Sequence, residues 1–342
     1  MNFQVISVKD KSIWEAGISQ WPQTNFLQSW NWGEFHKNLG KNVWYFQIMN
    51  GEKIVGCALV VAETAKRGNY LTIAGGPLID WTSPTAKLIL RTLISKLRII
   101  ANKEQSVFLR VRLQEKDSSN ICDVLRKNGF LSSPMHLTAD LTLQLNLQKS
   151  EDELLRAMRK NTRYEIRKAE KLGITVKLSN DRTEIKKFYQ YQLQVANRHN
   201  FIPFSYDFLQ KQFNAFLSDD QVLLIHAYAQ KKLLASAFVI FYRDEAVYHY
   251  GVSTNDNAKL PGSYACQWEA IREAKRRGIK RYNFWGIAPE NQPNHRFAGV
   301  SVFKRGFGGE EVAYVPAHDL PFSRWYWITW LFEFSRKKIR KL

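Results

Sequence analysis

Cysteine is scarce in this 342-residue chain. Its three copies, Cys57, Cys122 and Cys266, are scattered, odd in number and never spaced C-x-x-C, which leaves neither a disulfide framework nor a structural zinc site to expect. The seven histidines never fall at H-x-x-x-H or H-E-x-x-H spacing, so no metal site is expected. His249, in "VYHYGVS", reads as an ordinary strand residue. No apolar run reaches about 18 residues, so nothing is expected to cross a bilayer. The opening "MNFQVISVKDKSIWEAG" has no signal-peptide h-region, and a cytoplasmic protein is the expectation. There is no G-x-S-x-G elbow and no G-x-x-x-x-G-K-[ST] loop, which removes two common hydrolase and nucleotide-binding chemistries. Acidic residues are also short: 31 Asp and Glu face 50 Lys and Arg, for a net charge of +19. That imbalance points to a polyanionic partner, such as RNA, DNA, a phosphorylated substrate or an anionic membrane, without choosing among them.

Apolar residues make up 45% of the chain and aromatic ones 13%, enough for two cores in a length too great for one. The order of elements occurs twice. "VWYFQIMNGEKIVGCALVVA" reads as strand, type I′ turn at Asn50-Gly51 and strand, and "VLLIHAYAQKKLLASAFVIFY" repeats the pattern. Each follows an aromatic-rich helical stretch, "WNWGEFHKNLG" or "SYDFLQKQFNAFLS". Each precedes more strand, a helix (Pro84–Asn102, Tyr264–Arg277) and a last strand, "SVFLRVRL" or "RYNFWGI". An α-β-β-β-α-β unit used twice is an α/β duplication. The join falls near Asn146–Ser150, where Ser150-x-x-Glu153 is a capping box opening one long helix that Gly173 ends. Leu155, Met158, Thr162, Ile166 and Ala169 form its narrow apolar stripe, while Arg156, Arg159, Lys160, Arg163, Arg167 and Lys171 crowd the rest. With few Glu to neutralise it, this face reads as a polyanion-docking surface, against the alternative of a solvated charge run.

Such units suggest two tandem GNAT-like (acetyltransferase-like) domains with mixed sheets flanked by helices. That fold holds the pyrophosphate of acetyl-CoA in an R/Q-x-x-G-x-G/A loop at a helix N-terminus. Here the place is "KLPGSYA", with Tyr264 where a small residue belongs, so acetyl-CoA is not expected, nor any other cofactor. The last glycine-rich stretch, "GVSVFKRGFGG", then has three readings: a phosphate loop, a plain hairpin, or a lysine held dry beside a reaction. It fails the first because Lys304 precedes the glycines.

Four stretches together resemble the Fem peptidyltransferases: "LQSWNWGEFHKNLG", "MRKNTRYEIRKAEKLGI", "GSYACQWEAIREAKRRGIKRYNFWGIAPE" and "GVSVFKRGFGGEEVAYV". The resemblance implies a first domain over 1–147, to which a helix within 320–342 returns, and a second over 148–316. The long coiled-coil arm of the FemA type is missing between Gly173 and Tyr206, so the chain is similar to the armless FemX form. It further implies transfer of an amino acid from aminoacyl-tRNA to the side-chain amine of a peptidoglycan stem peptide, UDP-linked or lipid-linked. Phe303 and Lys304 match the family's Phe-Lys pair, which makes them the implied catalytic residues. Tyr250, Tyr206, Lys37 and Arg198 are the implied substrate contacts, and Arg156, Lys160, Arg163 and Arg167 the candidates for tRNA. Two positions depart from the pattern: Phe204 replaces a phosphate-contacting arginine, and Arg112 replaces an acidic residue on a first-domain strand.

The tail "FSRWYWITWLFEFSRKKIRKL" combines an apolar core, Trp325–Phe332, with a basic end, Arg336–Lys341. Peripheral membrane contact through 322–342, at the inner face of the plasma membrane, and packing of a last helix on the first domain are both open. Two other functions stay open as well. One is a related N-acyltransferase with another donor or acceptor, and the other is a non-catalytic RNA- or membrane-binding protein.

Overall fold

Period-two apolar runs pair into two mixed sheets in the computed structural model of the chain, which describes residues 2–66, 68–199, 201–255 and 259–340. The sheets belong to separate units. One comprises residues 1–140, 294–296 and 313–342, the other 141–293 and 297–312.

The first unit runs β1 (Phe3–Ser7), α1 (Lys11–Ile18), α2 (Trp30–Asn38), β2 (Val43–Asn50), β3 (Lys53–Glu63), β4 (Asn69–Ala74), β5 (Leu78–Ile79), α3 (Ala86–Lys103), β6 (Ser106–Arg112), α4 (Ser119–Lys127) and β7 (Leu131–Ser132). The second runs β8 (Leu141–Asn146), α5 (Glu151–Ala157), α6 (Lys160–Lys171), β9 (Thr175–Ser179), α7 (Glu184–His199), α8 (Tyr206–Leu217), β10 (Val222–Ala229), β11 (Lys232–Tyr242), β12 (Glu245–Ser253), α9 (Gly262–Arg276), β13 (Arg281–Gly286), α10 (Ala298–Arg305) and β14 (Glu310–Ala313). The chain then re-enters the first unit with β15 (His318–Pro321) and α11 (Tyr326–Arg340).

The duplication extends to strand order, β1-β2-β3-β4-β6-β15-β7 in one sheet and β9-β10-β11-β12-β13-β8-β14 in the other. In each, a helix (α3 or α9) follows the fourth strand and buries its apolar stripe on the sheet. On α3 that stripe is Ile89, Leu90, Leu93, Ile94, Leu97 and Ile100, the 3.6-residue spacing of one helix face. Each such side chain contributes about 1.5–3 kcal/mol of apolar burial.

Three details differ from the sequence reading. The hairpin turn after β2 is Gly51-Glu52, one residue later than expected, since Asn50 still pairs with Lys53; Gly51 takes φ +61°. The second sheet begins at Leu141, because β8 pairs antiparallel with β13. The long basic helix is two helices. α5 opens on the Ser150–Glu153 capping box, then Met158 turns extended (ψ 154°) and α6 begins. No proline or glycine causes the break. The Arg159 N–H donates to the Gly306 carbonyl at 2.9 Å, and the Arg163 guanidinium caps the end of α5 on the carbonyls of Met158, Arg156 (3.1 Å) and Leu155 (3.4 Å). Among the described residues between Gly173 and Tyr206 the only elements are β9 and α7, and no long helical arm stands there.

Candidate active site

The two parallel pairs at equivalent places in the sheets behave differently. In the first unit β4 and β6 pair from Asn69–Ser106 to Ala74–Arg112, with a single register shift, at Val107. In the second, β12 and β13 pair only at Glu245–Arg281, Ala246–Tyr282 and Val247–Asn283. Beyond Val247 both strands are irregular. β12 is shifted in register at His249, and β13 between Asn283 and Gly286. The rings of His249 and Trp285 meet edge to face at 5.7 Å. Trp285 is left-handed (φ +62°), a conformation unusual for a bulky residue and one that concentrates at functional sites.

Lys304 enters at this irregular end. Its Nζ donates to the Gly286 carbonyl at 2.8 Å and lies 5.7 Å from the centre of the Tyr248 ring. The residue is 8% exposed, and burial pushes its pKa down to about 7. "GVSVFKRGFGG" is therefore neither loop nor hairpin: Lys304 sits in the last turn of α10. That helix is pinned to the loop after β13. The Ser301 hydroxyl accepts from the Ala288 N–H at 2.7 Å, and Arg305 donates to the Ala288 carbonyl at 2.6 Å. Gly306 follows because a Cβ there would come within 2.4 Å of the Thr162 hydroxyl on α6. Phe303 points elsewhere, packing on Tyr264 at 5.1 Å and Phe307 at 5.3 Å. The aromatic wall of Lys304 is thus Tyr248, and Tyr264, in the first turn of α9, is partly buried and packs against the core.

The other second-unit candidates lie around the far end of β12. Tyr250 meets Phe204 at 5.1 Å and Phe238 at 5.5 Å. Arg198 is exposed and donates to the Ser253 carbonyl at 2.8 Å, and Tyr206 accepts from Gln210 at 3.0 Å beside Tyr189. On the basic helices Arg156, Lys160 and Arg167 are exposed, whereas Arg163 is committed to its cap.

In the first unit a cavity of about 140 Å³ is lined by Trp32, His36, Glu63, Thr72, Ala74 and Thr138 among others. Lys37 is not among them: it pairs with Glu34 at 2.7 Å above the Trp30 and Tyr45 rings. Lys41 is not in the lining either, but it holds two residues that are, lying 2.7 Å from Glu63 and 3.3 Å from Nδ1 of His36. Burial, helped by that ammonium, pushes His36 down to about 3, so it is neutral at any ordinary pH. Arg112 is fully buried, donating to Gln114 at 2.6 Å and to the Leu113 carbonyl at 3.0 Å with its face on Tyr314; it fills its place structurally. Among the described residues no group of three His, Cys, Asp or Glu could hold a metal.

The FemAB family matches residues 14–122, 128–232 and 223–333. This chain belongs to the FemAB family. It is 22% identical to aminoacyltransferase FemA of Staphylococcus aureus (strain MRSA252) over 358 residues, 80% of this chain and 84% of that one. It is 35% identical to FemA of Staphylococcus epidermidis over a shorter stretch of 91 residues, 27% of this chain and 22% of that one. The crystal structure of FemX superposes with a TM-score of 0.83 at 17% identity, covering 97% of this chain and 100% of that one. A tandem GNAT protein from the clavulanic acid pathway gives 0.59 at 9% identity, covering 94% and 98%. The GNAT-like fold and an acyltransferase activity follow, and the non-catalytic binder is set aside.

Within this FemAB member, sequence reasoning missed Tyr248, Gly286 and Trp285, which shape the place of Lys304, and Lys41 in the other unit. Only Lys41 had a signal, a lysine four residues past the one chosen in "HKNLGK".

Proposed function

We propose that the chain transfers an aminoacyl group from charged tRNA to the side-chain amine of a peptidoglycan stem peptide, at the cytoplasmic face of the plasma membrane and with no cofactor besides the tRNA. The observation that carries this reading is the buried Lys304, held on a strand-end carbonyl where two parallel strands lose their pairing. An aminoacyl ester is already activated, so the amine needs placement and help with the charge it creates. Attack on the ester carbon puts a negative charge on its oxygen. Collapse then expels the ribose oxygen, which must gain a proton. The Lys304 ammonium stabilises the first charge and supplies that proton, and the neutral lysine then takes up the proton that the acceptor amine loses as the amide forms.

The test is a transfer assay with tRNA carrying labelled glycine, alanine or serine and either UDP-linked or lipid-linked precursor. Label in the precursor that RNase abolishes supports the reading. No label with any pair turns the reading toward another acyl donor or amine acceptor.

Arg156, Lys160 and Arg167 are the proposed tRNA contacts. Replacing all three by Gln lowers tRNA affinity and reduces the slope of log K against log salt by about 2–3, at somewhat under one counterion per phosphate contact. An unchanged slope in filter binding would show that this face meets something else.

A further inference from the structure

α11 has one fastened face and one bare face. Inward, Tyr326 and Thr329 are buried, and Glu333 reaches the Arg110 guanidinium at 2.6 Å. Outward, Trp327 (54% exposed), Ile328 (52%), Leu331 (62%) and Phe334 (37%) follow the one-face spacing of a helix, with Trp325 and Ile339 exposed at its two ends. Glu333, the only acid between Phe322 and Arg340, is turned inward, so the bare face carries no negative charge. Arg324, beside the Trp325 ring, stands at one end of the stripe, and Arg336 and Lys337 stand at the other. Among the described residues no helix is long and apolar enough to cross a membrane.

From this face we infer that α11 is a docking surface for an anionic lipid bilayer, lying in the plane of the interface. Tryptophan rings suit the headgroup level, and an apolar stripe plus a basic cluster gives the two attractions that reversible binding needs. Charge selects lipid over a second copy of the chain, since two molecules at +19 repel, whereas an anionic surface attracts the same face. The inference rests on the proposed reaction in one respect: it chooses the lipid-linked form of the acceptor. The last two residues of the basic tail lie outside the described residues, and the face does not depend on them.

The test is flotation of the full chain with phosphatidylglycerol–phosphatidylcholine vesicles and with phosphatidylcholine vesicles alone. Wild type floats with the anionic vesicles and is released by salt. Leu331→Glu lowers vesicle affinity at least tenfold, and Arg336→Gln with Lys337→Gln lowers it severalfold and flattens the salt dependence. Leu331→Glu replaces an outward side chain, so its thermal melting stays within about a degree of wild type, and the melting of the Arg336–Lys337 variant, whose two side chains are half-buried, is measured beside it. Transfer to a soluble acceptor stays unchanged in both, which separates failure of the docking inference from failure of the reaction. Equal flotation of wild type and Leu331→Glu overturns the inference. So does a vesicle-free dimer that Leu331→Glu dissociates, which would assign the face to a second copy.

Discussion

Lys304→Ala lowers the rate of aminoacyl transfer by about 10²–10³, the usual cost of removing one oxyanion donor, while tRNA affinity stays within about twofold of wild type. The separation follows from where the side chain is. Lys304 is buried on the Gly286 carbonyl and the Tyr248 ring, away from the exposed Arg156, Lys160 and Arg167. A surface phosphate contact would weaken tRNA binding in a salt-dependent way instead. Equal losses of binding and turnover would remove Lys304 from the reaction.

The pH dependence sharpens this. Burial pushes Lys304 down to about 7, so near neutrality it is part ammonium and part amine. With an acceptor amine near its ordinary value of about 10.4, the proposed state needs Lys304 charged and the acceptor neutral. Its population rises about tenfold per pH unit up to about 7 and is then flat, as lost ammonium on Lys304 balances gained free amine on the acceptor. A neutral Lys304 acting as base on an acceptor ammonium has the same proton count and the same profile, so wild type alone does not separate them. Lys304→Arg does, because a guanidinium stays charged throughout. In the cation role it recovers at least tenfold over Lys304→Ala, and its rate climbs past pH 7 without a break. In the base role it is as inactive as alanine.

How much of this was legible in the sequence depends on range. The Ser150–Glu153 capping box and Gly173 at φ +64° are signals within a few residues, and they form as read. The doubled order of elements was legible because hairpins and amphipathic helices are local patterns. What failed were features made by distant partners. "EDELLRAMRKNTRYEIRKAEKLGI" contains nothing that breaks a helix; the break comes from Gly306 and from the reach of Arg163 back onto α5. β15 pairs with β6 across most of the chain, and no turn signal announces such a pairing. Lys304 was found through the Phe-Lys resemblance, but its dryness comes from burial beside Tyr248 and Gly286, which no spacing near Lys304 encodes. Lys37 lies outside the lining of the first-unit cavity for a local reason: adjacent helix positions point in different directions, and its ammonium pairs with Glu34.

Asp319→Ala costs the first unit about 3–5 kcal/mol, the scale for breaking one side of a buried ion pair. β15 places Asp319 opposite Arg110 on β6, where the carboxylate takes two bonds from the guanidinium, at 2.7 and 2.8 Å, and a third from the Tyr326 hydroxyl at 3.1 Å. Both charged side chains are nearly sealed, at 4% and 0% exposed, and Glu333 closes the remaining side. Burial by itself would drive the Arg110 pKa down; the hydrogen bonds and charges of Asp319 and Glu333 outweigh it and hold it above its ordinary value. Removing Asp319 leaves that guanidinium with the half-buried Glu333 alone and strands the Tyr326 hydroxyl. Nine of the 11 tryptophans lie in the first unit, all but Trp268 and Trp285, so urea unfolding followed by tryptophan fluorescence reports this unit. The midpoint falls with the slope unchanged. Arg110→Met combined with Asp319→Leu recovers most of the loss, since apolar groups of similar size need no partner. A cost below about 1 kcal/mol for Asp319→Ala would mean that α11 is held by its apolar contacts, with the clasp adding little.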